Sequence, residues 1–202
     1  MRYLGHIITQ SGIKPDPELI KSVIEFPRPR RIKDIQSFLG LTGYYRRFIR
    51  DYAKIAEPLL KQLRNGQKAN NHHIQWTQEC ESAFDSLKKK LTNAPIMNTP
   101  NFEAPFILEL DACEYGLGAV LTQEYENQKY VIAYASRTLS SAERKYGATE
   151  REALAIVWAV KHFRPYLEGS KIYIRSDCKA LEWMRTAKDV TGRIARWAMK
   201  LA

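Results

Sequence analysis

The sequence predicts a mixed α/β protein in two parts, a helical unit followed by a mixed sheet with helical cover. Three observations carry this. Apolar residues recur at helical spacing through residues 13–92, and strand-like alternation begins at Phe106. Between the two, NAPIMNTPNFEAP sets three prolines within eleven residues, Pro95 to Pro105, and marks the junction.

The elements follow in order. RYLGHIIT reads as a short strand and SGIKPD as a turn. Asp16 is a good N-cap, Pro17 suits the first helical position, and Leu19, Ile20, Val23 and Ile24 make one apolar face. PRPR, Pro27 to Arg30, ends that helix because proline cannot continue it. KDIQSFLGLTGYYRRFIRDYAKIAEPLLKQLR reads as helical with a break near Glu57-Pro58, and Gly66 to Asn71 as a polar linker. Thr77 can cap a helix whose Ala83, Phe84, Leu87 and Leu91 share a face, with Lys88 to Lys90 suiting its C-terminal dipole. Beyond the prolines come strands at Phe106–Ala112, Gly116–Gln123 and Tyr130–Ser136, then a helix from about Thr149 to Leu167 stopped by Gly169. A fourth strand, KIYIRSD, precedes helices around Ala180–Thr186 and from Gly192. The order βββαβα is that of a mixed sheet with helices packed on it. Both chain ends fall inside such patterns, as if cut from something longer.

Composition narrows the function classes. An apolar fraction of 45% in 202 residues is enough for a real core, which argues against disorder. No apolar run reaches the roughly 18 residues a membrane span needs, and the N-terminus lacks a signal-peptide pattern. Cys80, Cys113 and Cys178 are odd in number and widely spaced, which fits neither a disulfide framework nor a zinc site; His72 and His73 have no cysteine at ligand spacing. The net charge of +10 is uneven: residues 1–95 carry 17 Lys/Arg against 9 Asp/Glu, or +8, and residues 96–202 carry 15 against 13, or +2. A polyanion partner for the first half is the expectation, against the plainer reading of a basic, solvated surface.

Three carboxylates stand out in the second half. Ile107, Glu109 and Asp111 share one face of their strand, and Asp111 sits at its end, where aspartate also serves as a terminator. Glu152 is in helical register with Ile156, Val160 and Phe163, on the face expected to meet the sheet. A competing role for it is a capping box with Thr149; Glu150 is the rival acid, pointing off that face. Asp177 ends the fourth strand and could equally cap the next helix. Gathered at one spot, three carboxylates repel unless cations neutralise them, and two hard divalent ions about 3.5–4 Å apart are a standard device for phosphodiester cleavage. A serine or cysteine nucleophile would need an activating base that the sequence does not offer.

FILELDACEYGLGAVLTQ, TEREALAIVWAV and RSDCKAL, in that order, closely resemble the ribonuclease H domain of reverse transcriptases from gypsy-type LTR retrotransposons. KYVIAYASRTLSSAERKYGATEREALAIVWAVKHFRPYLEG follows that pattern nearly throughout. YLGHIITQSGIKPDPELIKSVIEFPRPRRIKDIQSFLGLTGYYRRFI resembles the end of the polymerase palm and the thumb, and WTQECESAFDSLKKKLTNAPIMNTP the segment joining thumb to ribonuclease H. The resemblance implies four parts: residues 1–12 as the end of the palm, 13–75 as a helical thumb, 76–100 as a connecting helix and linker, and 101–202 as a C-terminally incomplete ribonuclease H-like domain. It assigns the catalytic, metal-holding set to Asp111, Glu152 and Asp177, with two Mg²⁺ or Mn²⁺ ions as cofactors. LDAC stands where the family usually has TDAS, so Leu110 and Cys113 depart from it without removing a ligand. The family's Y-x-D-D polymerase turn does not occur in this chain, and its final strand and fourth acid fall after the last residue; Asp189 stands too close to Asp177 to replace that acid. The expectation is therefore weak activity, or none, from this stretch by itself.

FLGLTGYYRRFIR places Gly40 and Gly43 inside a helix, where each costs roughly 1 kcal/mol against alanine. The strip could serve plain helix packing. Resemblance to a thumb implies instead that Gly40, Gly43, Tyr44, Tyr45, Arg46 and Arg47 track the primer–template backbone, and that Gly5 and His6 lie where the palm supports the primer end. The implied partners are RNA–DNA hybrid, primer–template, and the rest of the polyprotein: palm and fingers upstream, the remainder of ribonuclease H and integrase downstream. The implied setting is a cytoplasmic virus-like particle. Two alternatives stay open. One is a non-catalytic nucleic-acid-binding module, or an inactive or repurposed element copy. The other is an integrase or transposase, although those carry their glutamate after both aspartates and the order here is Asp, Glu, Asp.

Overall fold

The first residues of the chain turn back on themselves twice. In the computed structural model, which describes residues 1–69 and 74–175, β1 (Arg2–Tyr3), β2 (His6–Thr9) and β3 (Gly12–Pro15) form a three-stranded antiparallel sheet. The expected single strand and turn are thus replaced by two hairpins. The first turn is made by Leu4 and Gly5, with φ of 42° and 71°; a leucine in the left-handed region gives no sequence signal of a turn. Gly12 (φ 135°) opens β3, and a Cβ built there would lie 2.1 Å from the Met97 carbonyl oxygen. Only glycine admits that approach, and it allows Ile13 and Met97 to exchange two backbone hydrogen bonds of 2.8 Å.

Asp16 caps α1 (Pro17–Ile24), accepting from the Glu18 N–H at 3.0 Å. Ile20 and Val23 are buried while Leu19 and Ile24 stay about half exposed, so the apolar face is narrower than expected. Next come α2 (Ile32–Tyr44), a 3₁₀ turn at Arg46–Phe48, and α3 (Tyr52–Ala69). The helical stretch breaks around Asp51, which has φ 60°, and Pro58 lies inside α3. Buried Phe48 and Ile49 are what the break serves: leaving the helix there turns both inward. Helix α3 runs on through Gly66, where a linker was expected. Thr77 caps α4 (Gln78–Thr92), and Cys80, Ala83, Phe84, Leu87 and Leu91 are buried. Phe84 meets Phe38 of α2 with ring centroids 4.5 Å apart, which joins α4 to the same core.

Beyond this lies a second compact unit; the first is Met1–Thr99, so the division falls within the proline-rich stretch. In the second unit β4 (Phe106–Ala112), β5 (Gly116–Tyr125), β6 (Gln128–Thr138) and β7 (Ile172–Arg175) form a sheet ordered β6-β5-β4-β7, antiparallel except for the β4/β7 pair. Helices α5 (Ala148–His162) and α6 (Arg164–Leu167) connect β6 to β7. Phe106 and Leu108 of β4 pack with Ala159, Phe163 and Leu167, while Ala112 lies against Leu117, Leu154 and Ala155. Helix α5 therefore runs antiparallel to β4, with its N-terminal half at the carboxyl end of that strand. The helices expected after Ser176, together with Asp177, Cys178 and Asp189, lie outside the described residues, as do His72 and His73.

Arg137 of β6 fixes the chain leading into α5. Its guanidinium grips the Glu143 carboxylate with two hydrogen bonds of 2.7 and 2.8 Å, and the Ser140 N–H adds a third. The Arg137 bonds, chiefly, hold the Glu143 carboxyl down from 4.5 to about 2. A carboxyl whose folded pKa is depressed stabilises the fold above its unfolded value, and that contribution disappears as pH falls toward the folded value. Glu143→Gln is expected to cost about 1–3 kcal/mol at neutral pH. It should also flatten the loss of stability between pH 4.5 and about 2. Urea titrations across that range check both, and an unchanged acid limb in the variant would refute the assignment.

Candidate active site and nucleic-acid interface

Asp111 is the next-to-last residue of β4 and is exposed. Strand alternation puts it on the face with Ile107 and Glu109, away from α5, while its neighbours Leu110 and Ala112 pack toward the helix. On the same face Glu109 is tied to Lys129, and Arg175 reaches Glu109 at 4.0 Å and Glu124 at 2.6 and 2.9 Å. The cations on this face thus engage Glu109 and Glu124.

Glu152 is half-buried in the second turn of α5, one turn before Ile156 and two before Ala159, both fully buried. The stripe reaches Phe163, also buried, so the glutamate lies on the helix face that packs against the sheet. The cap role expected for Glu152 belongs to Glu150. Gly147 is the N-cap, and its N–H donates to the Glu150 carboxylate at 3.1 Å. The helix starts two residues earlier than the Thr149 capping box would require, and this moves the capping acid from position 152 to position 150. The sequence marked Glu150 only as a rival acid; its capping role and the N-cap glycine were concealed by the S/T-x-x-E pattern at Thr149.

The antiparallel setting of α5 on β4 brings Asp111 and Glu152 to one end of the sheet, and Asp177 lies outside the described residues. Among the described residues no three His, Cys, Asp or Glu side chains gather in a group that could hold a metal ion. The donors at this end are carboxylate oxygens, the chemistry that Mg²⁺ or Mn²⁺ requires.

In the first unit the six residues read as one interface separate by environment. Gly40 is open: a Cβ built there has nothing within 4 Å. Gly43 faces inward: a Cβ built there would lie 3.5 Å from the Tyr52 hydroxyl, which is engaged with buried Thr42 at 3.0 Å. Tyr44 and Arg46 are exposed, while Arg47 is half-buried with its guanidinium 5.7 Å over Phe48. Tyr45 is buried, and its hydroxyl donates to the Gly5 carbonyl at 2.9 Å; burial pushes its pKa up to about 12. His6 stands among Tyr44, Tyr45 and Phe48 with ring centroids 5.5 to 5.6 Å away. The first hairpin and the α2 C-terminus are therefore one aromatic cluster.

With this geometry in place, comparison with known proteins is informative. Residues 76–174 match the RNase H-like domain found in reverse transcriptase. They belong to that family. Over almost its whole length the chain is related to retrotransposon Pol polyproteins of Drosophila melanogaster. It is 42% identical to that of transposon 297 across 99% of the chain, and 37% identical to that of gypsy across 98%. It spans 18% and 19% of their lengths. A foamy viral protease-reverse transcriptase solved with RNA/DNA hybrid has the same fold across 100% of the chain and 27% of its own, with a TM-score of 0.79 at 23% identity. The RNase H-like match begins at Trp76, just before α4, and so takes in the last helix of the first unit as well as the sheet of the second. No described helix is long and apolar enough to cross a membrane.

Proposed function

We propose that this retroelement segment supplies the hybrid-cleaving centre of its parent polyprotein: hydrolysis of RNA in RNA–DNA hybrids, coupled in the parent to RNA-directed DNA synthesis. One observation carries the reading. Asp111 and Glu152 come to the same end of the sheet, and Glu150, rather than Glu152, performs the helix cap that would otherwise account for the glutamate. Spacing supports Asp177 as the third acid. It follows Arg175 by two residues, as Asp111 follows Glu109, and Glu109 and Arg175 are register partners in the parallel pair.

Mg²⁺ or Mn²⁺, two ions held by Asp111, Glu152 and Asp177, would supply activation of the attacking water and stabilisation of the leaving 3′ oxygen. The chain's own contribution is placement. Asp111 comes from a strand and Glu152 from a helix locked onto that strand by Ala155, Ala159 and Phe163, so both carboxylates sit on rigid elements. In the first unit, read as palm end, thumb and connecting helix, Gly40, Tyr44 and Arg46 would meet the hybrid or primer–template, Gly43 and Tyr45 would set their positions, and Arg47 would add charge. The remaining partners are the other polyprotein segments, in a cytoplasmic particle. The test is cleavage of labelled RNA in a hybrid with Mg²⁺, by the 202-residue chain and by a longer stretch of its parent. Asp111→Asn is expected to remove cleavage while leaving hybrid binding in place. Equal cleavage by Asp111→Asn, or silence from the longer stretch, would overturn the proposal.

A further inference from the structure

A recess of the first unit lies at the opposite end of α2 from Tyr44. It has a volume of about 870 Å³, and Phe26, Arg28, Arg30, Arg31, Ser37 and Trp76 are among the residues lining it. Arg28 is held in place there. Its guanidinium lies 5.4 Å over the Trp76 ring and its Nε is 3.2 Å from Glu81, which also accepts from the Trp76 indole. Trp76 in turn meets the buried ring of Phe84 edge-on at 5.8 Å. The arginine is therefore mounted on the core before any ligand arrives, and little of its side-chain entropy remains to be lost on binding.

Arg30 and Arg31 complete the lining. Asp34 accepts both of their backbone N–H groups at 3.0 Å and the Arg31 side chain at 3.2 Å, which leaves the Arg30 guanidinium exposed and without an ion pair among the described residues. The three arginines thus meet two carboxylates, Glu81 and Asp34, both already engaged, and Arg30 is the cation left over. From this recess, beginning beside half-buried Asp34, an exposed stripe runs along α2 through Ser37, Leu41 and Tyr44, three, seven and ten residues on from Asp34, with open Gly40 beside it. Ile35, Phe38 and Thr42 take the buried face.

We propose that the Arg28–Arg30–Arg31 recess is a second phosphate-binding site for duplex nucleic acid, continuous with the Tyr44–Arg46 patch along this stripe. It rests on the reading that the first unit binds a primer–template or hybrid, and adds a contact at a set distance. Thirteen helical residues span about 20 Å, equal to about six base-pair steps at roughly 3.4 Å each. Guanidinium contacts to phosphate are sequence-independent and release counterions, so they are read in the salt dependence of binding.

The experiment measures fluorescence anisotropy of the full 202-residue chain with a labelled RNA–DNA hybrid and with duplex DNA over a salt series. Replacing Arg28, Arg30 and Arg31 together by Gln is expected to reduce the slope of log affinity against log salt by about 2 to 3 on both duplexes. Arg30→Gln alone, which breaks no contact in the fold, should reduce it by about 1. Replacing Lys61, Lys89 and Lys90 by Gln, off the stripe, should leave the slope in place. If wild type binds and the Arg30 and triple variants keep its slope, the recess is overturned while the first unit's role in binding stands. If wild type binds neither duplex, both fall. If polyglutamate displaces the hybrid only from chains with the three arginines, while the duplex slope is unchanged by their loss, the recess belongs to an acidic peptide and the proposal is overturned.

Discussion

Glu152→Gln is expected to lower hybrid cleavage by at least about 100-fold, the loss of some 2.7 kcal/mol of transition-state stabilisation, with urea stability changed by less than about 1 kcal/mol. Glu150→Ala should behave in the opposite way. It removes the acceptor of the Gly147 N–H, so it should cost about 0.5–1 kcal/mol of stability and leave cleavage within a few-fold of wild type. The pair distinguishes two glutamates two residues apart by what the fold already asks of each. One closes the helix start; the other lies on the face turned to the sheet, at the end where Asp111 emerges. If Glu150→Ala were the inactive variant and Glu152→Gln the unstable one, the assignment of Glu152 to the active site would be wrong.

The second large effect concerns stability. Phe163→Ala should destabilise the second unit by about 3–5 kcal/mol, the usual cost of emptying an aromatic site in a core. The residue is 2% exposed at the joint between α5 and α6, and it shares a cluster with Phe106, Leu108 and Leu121. The ring ends the stripe that begins at Glu152, so its loss should also loosen the seating of α5 on the sheet. Urea denaturation gives the free energy, and amide exchange along β4 and α5 locates the loss. A cost below about 1 kcal/mol would mean that the sheet and helix do not depend on this contact.

How far the sequence foretold these placements depends on which physical signal each residue carried. Ala83, Phe84, Leu87 and Leu91 announced α4 because helical spacing and burial coincide there. Strands β4 to β6 were equally legible, with ends differing by two residues or fewer. The misreadings cluster where backbone conformation, rather than burial, decides. Leu4 and Asp51 adopt positive φ with side chains that do not advertise it, so one strand became two hairpins and a helix break moved from Pro58 to Asp51. In the candidate site, the stripe through Glu152 could be read from spacing, yet the true cap at Gly147 could not, since glycine offers no side chain to mark it. Tyr45 shows the same limit on the interface. Adjacent tyrosines look alike in sequence, but a rotation of about 100° along α2 and into its C-cap sends Tyr44 to solvent and Tyr45 to the interior.

The paired hydrogen bonds between Ile13 and Met97 have a topological meaning. They clasp the two ends of the first unit side by side, so everything from α1 through α4 is a closed loop whose entry and exit share one doorway. Because closure entropy grows only slowly with loop length, helices can be lengthened or shortened inside such a loop without the clasp being lost. Glycine at position 12 is the latch: without the room it leaves, the Met97 carbonyl could not reach the strand. A unit fastened this way keeps its two ends together however the helices between them are drawn out.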